Sequence, residues 1–238
     1  MNLTLYNALS QALNWLLPTH CIACNEALND HCRDKRVCDN CYPDLPFQSR
    51  YCHRCGQNTA ANTPYCGHCI KTPPTFDKCF CPFKYESSIK ELICEMKYRE
   101  RPELAKTIAS LLSSELRNNN VERPDALIVV PMHISRLRER GYNHSALIAQ
   151  QLSKMLDIPL IRGAVIKHKR TAPQAQQSLN NRKKNLNKSF KIEKTIAAKS
   201  VAIIDDVVTT GATAEEIAKI LKKNGVDYIQ VWGVAHTL

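Results

Sequence analysis

Residues 201–213 read VAIIDDVVTTGAT, and their order decides the fold. A short run of β-branched and small apolar residues marks a strand buried on both faces, as parallel sheets require. Asp205 and Asp206 close the run, and Thr209, Thr210, Gly211, Ala212 and Thr213 lead straight into ATAEEIAKILKKNG (212–225). That segment is a helix with acids in its first turn, lysines in its last and Asn224-Gly225 as its stop. The N-terminus of a helix aims backbone N–H groups and a partial positive charge at one place, which suits a phosphate. Gly211 allows close backbone approach, and threonine hydroxyls donate to phosphate oxygens. Two carboxylates beside such a cradle would repel the phosphate unless they had another task. Accepting hydrogen bonds from vicinal ribose hydroxyls, with a divalent cation nearby, resolves the conflict. The motif describes a site for a ribose 5-phosphate.

Helix and strand patterns alternate on either side of it. Ser88–Tyr98 and Pro102–Arg117 read as helices, 126–130 (ALIVV) as a buried strand, Asn143–Leu156 as an amphipathic helix and 228–235 as a last strand. This alternation predicts an α/β fold with a mostly parallel sheet and helices on both faces. Ligands in such sheets bind beyond the carboxyl ends of the strands, where the motif lies.

The chain has twelve cysteines, all before residue 95. Eight form CxxC pairs: Cys21/Cys24, Cys38/Cys41, Cys52/Cys55 and Cys66/Cys69, spaced C-x2-C-x13-C-x2-C and C-x2-C-x10-C-x2-C. Each CxxC turn points two thiolates at one ion, and a second turn completes the tetrahedron that Zn²⁺ prefers. Sequential pairing gives two local sites, and interleaved pairing satisfies the same count. His53 and His68 lie inside CxxC loops as alternative ligands, and Cys32, Cys79, Cys81 and Cys94 are left over as small buried hydrophobes. Closed four-thiolate sites leave no position for substrate, so the zinc is expected to be structural, one or two ions holding a segment with little core of its own. The expected division is an N-terminal helix and Cys-rich double zinc ribbon over 1–85, then an α/β domain over 86–238.

With 44% hydrophobic and 23% charged residues the chain can bury a core, and no apolar run reaches the length of a membrane span. Leu5, Leu9, Leu13 and Leu16 share one face of an N-terminal helix expected to pack on the protein itself. With no signal-peptide pattern there, the thiols are expected to stay reduced, in the cytoplasm. The formal net charge is +11. Between Arg162 and Lys199 there are eleven Lys/Arg and one acid, Glu193, so that segment alone carries +10. Such a field attracts a polyanion, either a phosphorylated small molecule or nucleic acid. The segment reads as a long mobile basic flap, and its one aromatic, Phe190, argues for phosphate contacts without base reading.

IIDDVVTTGAT resembles the phosphoribosyl-pyrophosphate (PRPP) signature of type I phosphoribosyltransferases. PMHISRLRERGYNHS (131–145) lies where such enzymes carry a pyrophosphate loop. With the CxxC array, MKYRERPELA (96–105) and the basic segment, residues 15–238 resemble the ComF/ComFC competence proteins, including GntX-like members. The resemblance implies a cytoplasmic protein that binds PRPP or a related ribose phosphate with Mg²⁺. It further implies a role in single-stranded DNA uptake during natural transformation, beside a helicase-like partner. By motif, Asp205 and Asp206 would hold ribose and Thr209–Thr213 the 5′-phosphate. Arg136, Arg138, Arg140 and Gly141 would meet pyrophosphate, and Lys97 with Tyr98 forms an early KY element. His144 stands where glutamine is common, and Val208 where an aromatic is frequent. No residue is singled out as catalytic: His133, His144 and His168 could act as bases, but fit loop or capping positions better. Two other classes stay open, an active phosphoribosyltransferase of unknown acceptor and a DNA- or partner-binding module on an inert PRPP fold.

Overall fold

In the computed structural model, residues 19–59, 63–168 and 189–237 are described. The expected helix around Leu5–Leu16 and most of the basic flap (169–188) lie outside them. The chain forms two compact units, 1–45 and 46–238.

The first unit is a ribbon with a sparse core. His20 and Ala27 bridge antiparallel, Asp30–Cys32 makes a single 3₁₀ turn, and Leu28, Val37 and Leu45 are buried beside Cys21 and Cys32.

The second unit runs α1 (Gly67–Lys71), β1 (Lys78–Phe80), β2 (Phe83–Lys84), α2 (Ser87–Tyr98), α3 (Leu104–Asn118), β3 (Ala126–Val129), α4 (Ile134–Arg140), α5 (His144–Leu156), β4 (Val165–Lys167), β5 (Phe190–Ile192), β6 (Ser200–Val208), α6 (Ala212–Lys223) and β7 (Tyr228–His236). The central sheet is parallel, in the order β1-β7-β6-β3, with β2 continuing the β1 edge along β7. β4 and β5 form a separate antiparallel pair. Side chains of strands alternate between faces. Val201, Ile203, Ile229 and Val231 therefore share one face, where Ala214, Ile217, Ala218 and Leu221 of α6 cover them at helical spacing. On the opposite face α5 packs on β3, β6 and α3. The expected α/β class with helices on both faces is what the chain forms.

The compact units divide at 45/46, and the 85/86 boundary expected from cysteine content falls just after β2. β1 and β2 precede residue 86 yet pair with β7. The second CxxC ribbon is stitched to that edge: Cys79 N–H donates to the His53 carbonyl (2.9 Å), Gln48 N–H to Pro82 (2.8 Å) and Lys84 N–H to Pro46 (2.7 Å). No periodicity announces strands of two and three residues, so the sequence offered no warning.

β6 also outruns its expected end at Asp205. It pairs with β7 as far as Val208↔His236, whereas β3 stops at Val129↔Ile204. Asp205 and Asp206 are thus held in register on one side while the other side opens. The arginine segment, expected as a loop, is a helix. The His133 ring Nδ1 accepts from Ser135 N–H to cap its start, and Gly141 at φ 77° ends it by donating its N–H to Leu137 (2.8 Å).

Candidate functional site

The opening left where β3 stops is a cleft of about 380 Å³. Its lining brings together seven of the twelve residues assigned to ligand binding, Lys97, Arg136, Arg140, Asp205, Asp206, Thr209 and Thr213, with Tyr98, His133 and His144 beside them. Five others lie elsewhere. Gly141 caps α4, and Arg138 is on that helix but outside the lining. Thr210, Gly211 and Ala212 line a neighbouring cavity of about 340 Å³ with Cys55, His68, Cys69 and Phe76. Gly211, at φ 69°, is the N-cap of α6, and a Cβ there would meet Phe76 Cζ at 3.4 Å.

Charge in the cleft is arranged around the two carboxylates. Lys97 Nζ lies 2.7 Å from Asp206 Oδ2, with both side chains largely shielded from water. Asp205 Oδ1 accepts from Ser145 Oγ (3.2 Å) and from the Asp206 backbone N–H (2.9 Å). Burial and the adjacent Asp206 charge push the Asp205 carboxyl up to about 7, against the pull of Lys97 and these hydrogen bonds. Asp205 is thus partly protonated near neutrality, and a bound cation or another positive group would draw that proton off.

Sequence reasoning missed three contributors. Ser145 opens α5 beneath Asp205. Lys167 also lines the cleft, where burial, then the Arg136 charge, pulls its pKa down to about 8. Tyr85 lies 3.3 Å through its hydroxyl from the Cys94 thiol. The signal for Lys167 was a lone cation on a short apolar strand, which composition hides within the basic segment. Of the three histidines, His133 is the α4 cap and His168 is exposed. His144 is buried, and desolvation draws its pKa down to about 4, so the ring is neutral; its Nε2 has no hydrogen-bond partner.

The zinc ligands resolve into sequential sets, Cys21/Cys24/Cys38/Cys41 and Cys52/Cys55/Cys66/Cys69, each with its sulfurs within 4.8 Å of one another. Interleaved pairing is excluded. The Cys24–Cys38 and Cys55–Cys66 sulfurs are 3.7 and 3.8 Å apart. A tetrahedral Zn²⁺ with bonds of about 2.3 Å needs S···S edges of about 3.8 Å, so the donors fit the ion. Burial alone would raise the Cys21 and Cys52 thiols, but backbone N–H groups outweigh it and bring them to about 6 and about 7. Cys24, Cys41, Cys55 and Cys69 are instead held above the ordinary thiol value, so each set offers one readily formed thiolate and a bound cation would draw the protons from the others. His53 and His68 are in neither set. Of the remaining cysteines, Cys32 is buried and donates to Asp39 Oδ1 (3.4 Å), while Cys79 and Cys81 are buried with sulfurs 3.8 Å apart. Among the described residues no helix is long and apolar enough to cross a membrane.

Comparison with known proteins agrees with this architecture. Residues 12–70 match the double zinc ribbon domain and residues 142–235 the phosphoribosyl transferase domain. The chain is 35% identical to Competence protein F of Haemophilus influenzae over 90% of its own length and 96% of that protein. It is 32% identical to the DNA utilization protein YhgH of Escherichia coli K12, over 85% and 91%. Competence protein ComFC of Bacillus subtilis is 25% identical over 81% and 80%. A double zinc ribbon, a phosphoribosyltransferase domain and near full-length similarity to these relatives place the chain in the ComF/ComFC family of competence and DNA-utilization proteins.

Proposed function

We propose that the cleft binds PRPP or a related ribose 5-phosphate with Mg²⁺, and that the protein uses this site while assisting single-stranded DNA uptake in natural transformation. The observation that carries the reading is the convergence, in one cleft, of the Asp205–Asp206 pair with Lys97, Arg136, Arg140, Thr209 and Thr213. Its volume falls within the range of small-molecule sites. Asp205 and Asp206 offer oxygen donors to ribose hydroxyls and to a hard cation through its waters. Thr209 and Thr213, beside the α6 N-terminus, suit the 5′-phosphate. Arg136 and Arg140 suit the pyrophosphate, whose charge they and Lys167 would balance. Bound Mg²⁺ would supply further neutralisation of that charge.

Calorimetric titration with Mg²⁺–PRPP tests the site directly. Wild type should bind and Asp205→Ala/Asp206→Ala should not, whereas absence of binding by folded, zinc-loaded wild type would leave the cleft a relic of the fold. Transfer to an acceptor remains compatible with the same cleft, and release of pyrophosphate in an acceptor screen would reveal it.

The DNA role draws on the names of the relatives and on the charge of +10 between Arg162 and Lys199. If the basic segment holds single strands, log affinity should fall with log salt by about 0.7 for each phosphate neutralised. A flat salt response would remove DNA from the reading. Eight of the twelve cysteines sit in zinc-ligand sets rather than in disulfides, which suits a reducing cytoplasm and work beside a helicase-like partner there. The zinc ribbons would then serve as contact surfaces for DNA or that partner, a role checked by pull-down with the ribbon region.

A further inference from the structure

Consecutive residues on a helix point about 100° apart, and the last turn of α2 uses this. Lys97 turns inward to Asp206, and Tyr98 turns out, remaining 67% exposed at the rim of the same cleft. Among the described residues it is the most exposed large aromatic; Tyr65, the other conspicuous one, is 41% exposed. The Arg140 guanidinium stands 5.3 Å from the Tyr98 ring centroid. An arginine over one face steadies the ring and is itself a planar stacking surface.

The rest of the lining is unsuited to a flat apolar ligand. Its side chains are dominated by charged groups, hydroxyls and histidines, the chemistry of a sugar phosphate. The rim alone offers an open aromatic face, and it lies next to where a ribose would be held. A nucleoside has both halves in that order: a sugar and phosphate, and a planar heteroaromatic base attached to the sugar.

We infer that Tyr98, braced by Arg140, is the stacking platform for a nucleobase presented at the mouth of the cleft. The inference rests on the ribose-phosphate reading for the placement of the sugar, but the platform itself is read from Tyr98 and Arg140. Both ssDNA and a free-base acceptor carry this chemistry, and the test separates them.

Fluorescence anisotropy would compare 20-mer oligo(dT) with a 20-mer of abasic spacers, on wild type, Tyr98→Ala and Tyr98→Trp. In parallel, adenine and uracil would be titrated by calorimetry in the presence of Mg²⁺–PRPP. Stacking predicts that Tyr98→Ala weakens binding of oligo(dT) or of a free base by about 5-fold or more, while Tyr98→Trp restores it. Loss confined to oligo(dT), with the abasic strand unaffected, identifies the base as one of a DNA strand. Loss confined to adenine or uracil identifies a small acceptor. Equal binding of every base-bearing probe by wild type and Tyr98→Ala overturns the platform. Titration of Mg²⁺–PRPP alone on wild type reports on the cleft separately. No PRPP binding together with a Tyr98-dependent oligo(dT) signal would sink the ribose-phosphate reading and leave the platform standing.

Discussion

Lys97 Nζ and Asp206 Oδ2, 109 positions apart in sequence, meet at 2.7 Å on the floor of the cleft. One end of the pair is fixed by the last turn of α2 and the other by a β6 strand that outlasts its β3 neighbour. This contact ties the early KY element to the PRPP-like motif, and it sets the charge state of the carboxylate pair.

Removing the ammonium should therefore do two things. Lys97→Met leaves the shielded Asp206 carboxylate without its counter-charge, a loss of about 3 kcal/mol for a well-shielded pair. It also raises Asp205 further, since Lys97 pulls that group down. Denaturant unfolding should show the first effect, and calorimetry with Mg²⁺–PRPP at neutral pH a weakening of about 10-fold or more.

Asp205 gives a signed pH dependence. Its pKa in the folded chain is about 7, against an ordinary 3.8, so the folded state holds this proton more tightly than the unfolded state between those limits. Stability from Asp205 is present at low pH and lost as pH rises through about 7. The melting temperature of wild type relative to Asp205→Asn should be higher at pH 5 than at pH 8. A difference that does not change with pH would show that the carboxyl titrates normally.

The two zinc sites should not be equivalent. Cys55 and Cys69 line the cavity that also contains Thr210, Gly211 and Ala212, and they belong to the unit carrying the sheet. Cys24 belongs to the other unit. Cys55→Ser should release one zinc equivalent and weaken Mg²⁺–PRPP binding. Cys24→Ser should release one equivalent and leave that binding near the wild-type level. Zinc release followed by a chromogenic chelator, with calorimetry on each variant, checks both.

Gly233 lies opposite Asp205 in the β6–β7 register. A Cβ there would stand 2.7 Å from Val208 Cγ2 and 2.8 Å from Cys81 Sγ. Both neighbours are buried, so Gly233→Ala should cost about 1–3 kcal/mol by overpacking. Substituting Cys81→Ala as well should recover part of that loss, as urea unfolding would show.

Much of this was legible because it is local. The strand, carboxylates, glycine turn and helix of 201–223 are contiguous, so each carries its own pattern of burial, capping and charge. The CxxC turns are local in the same way, and only their mutual pairing needed the fold. What sequence did not show was long-range. Ser145 reaches Asp205 from another helix, and Lys167 gains its depressed pKa only once burial and Arg136 surround it. The charge of the arginines points to a loop, yet RLRER is also a run of good helix formers between a capping histidine and a glycine stop. Cysteine density, the visible signal of a boundary, ends later than the seam between the compact units.

That seam bears on how modules of this family can be cut or exchanged. A fragment starting at residue 86 would strip β7 of its partners along Lys78–Lys84 and leave a row of unmatched N–H and C=O groups on a buried apolar strand. Such an edge is a template for chain-to-chain pairing and precipitation. A break at 45/46 keeps every strand of the sheet. Exchange between relatives at that point leaves the sheet whole, and the second ribbon travels with the sheet as a single heritable piece.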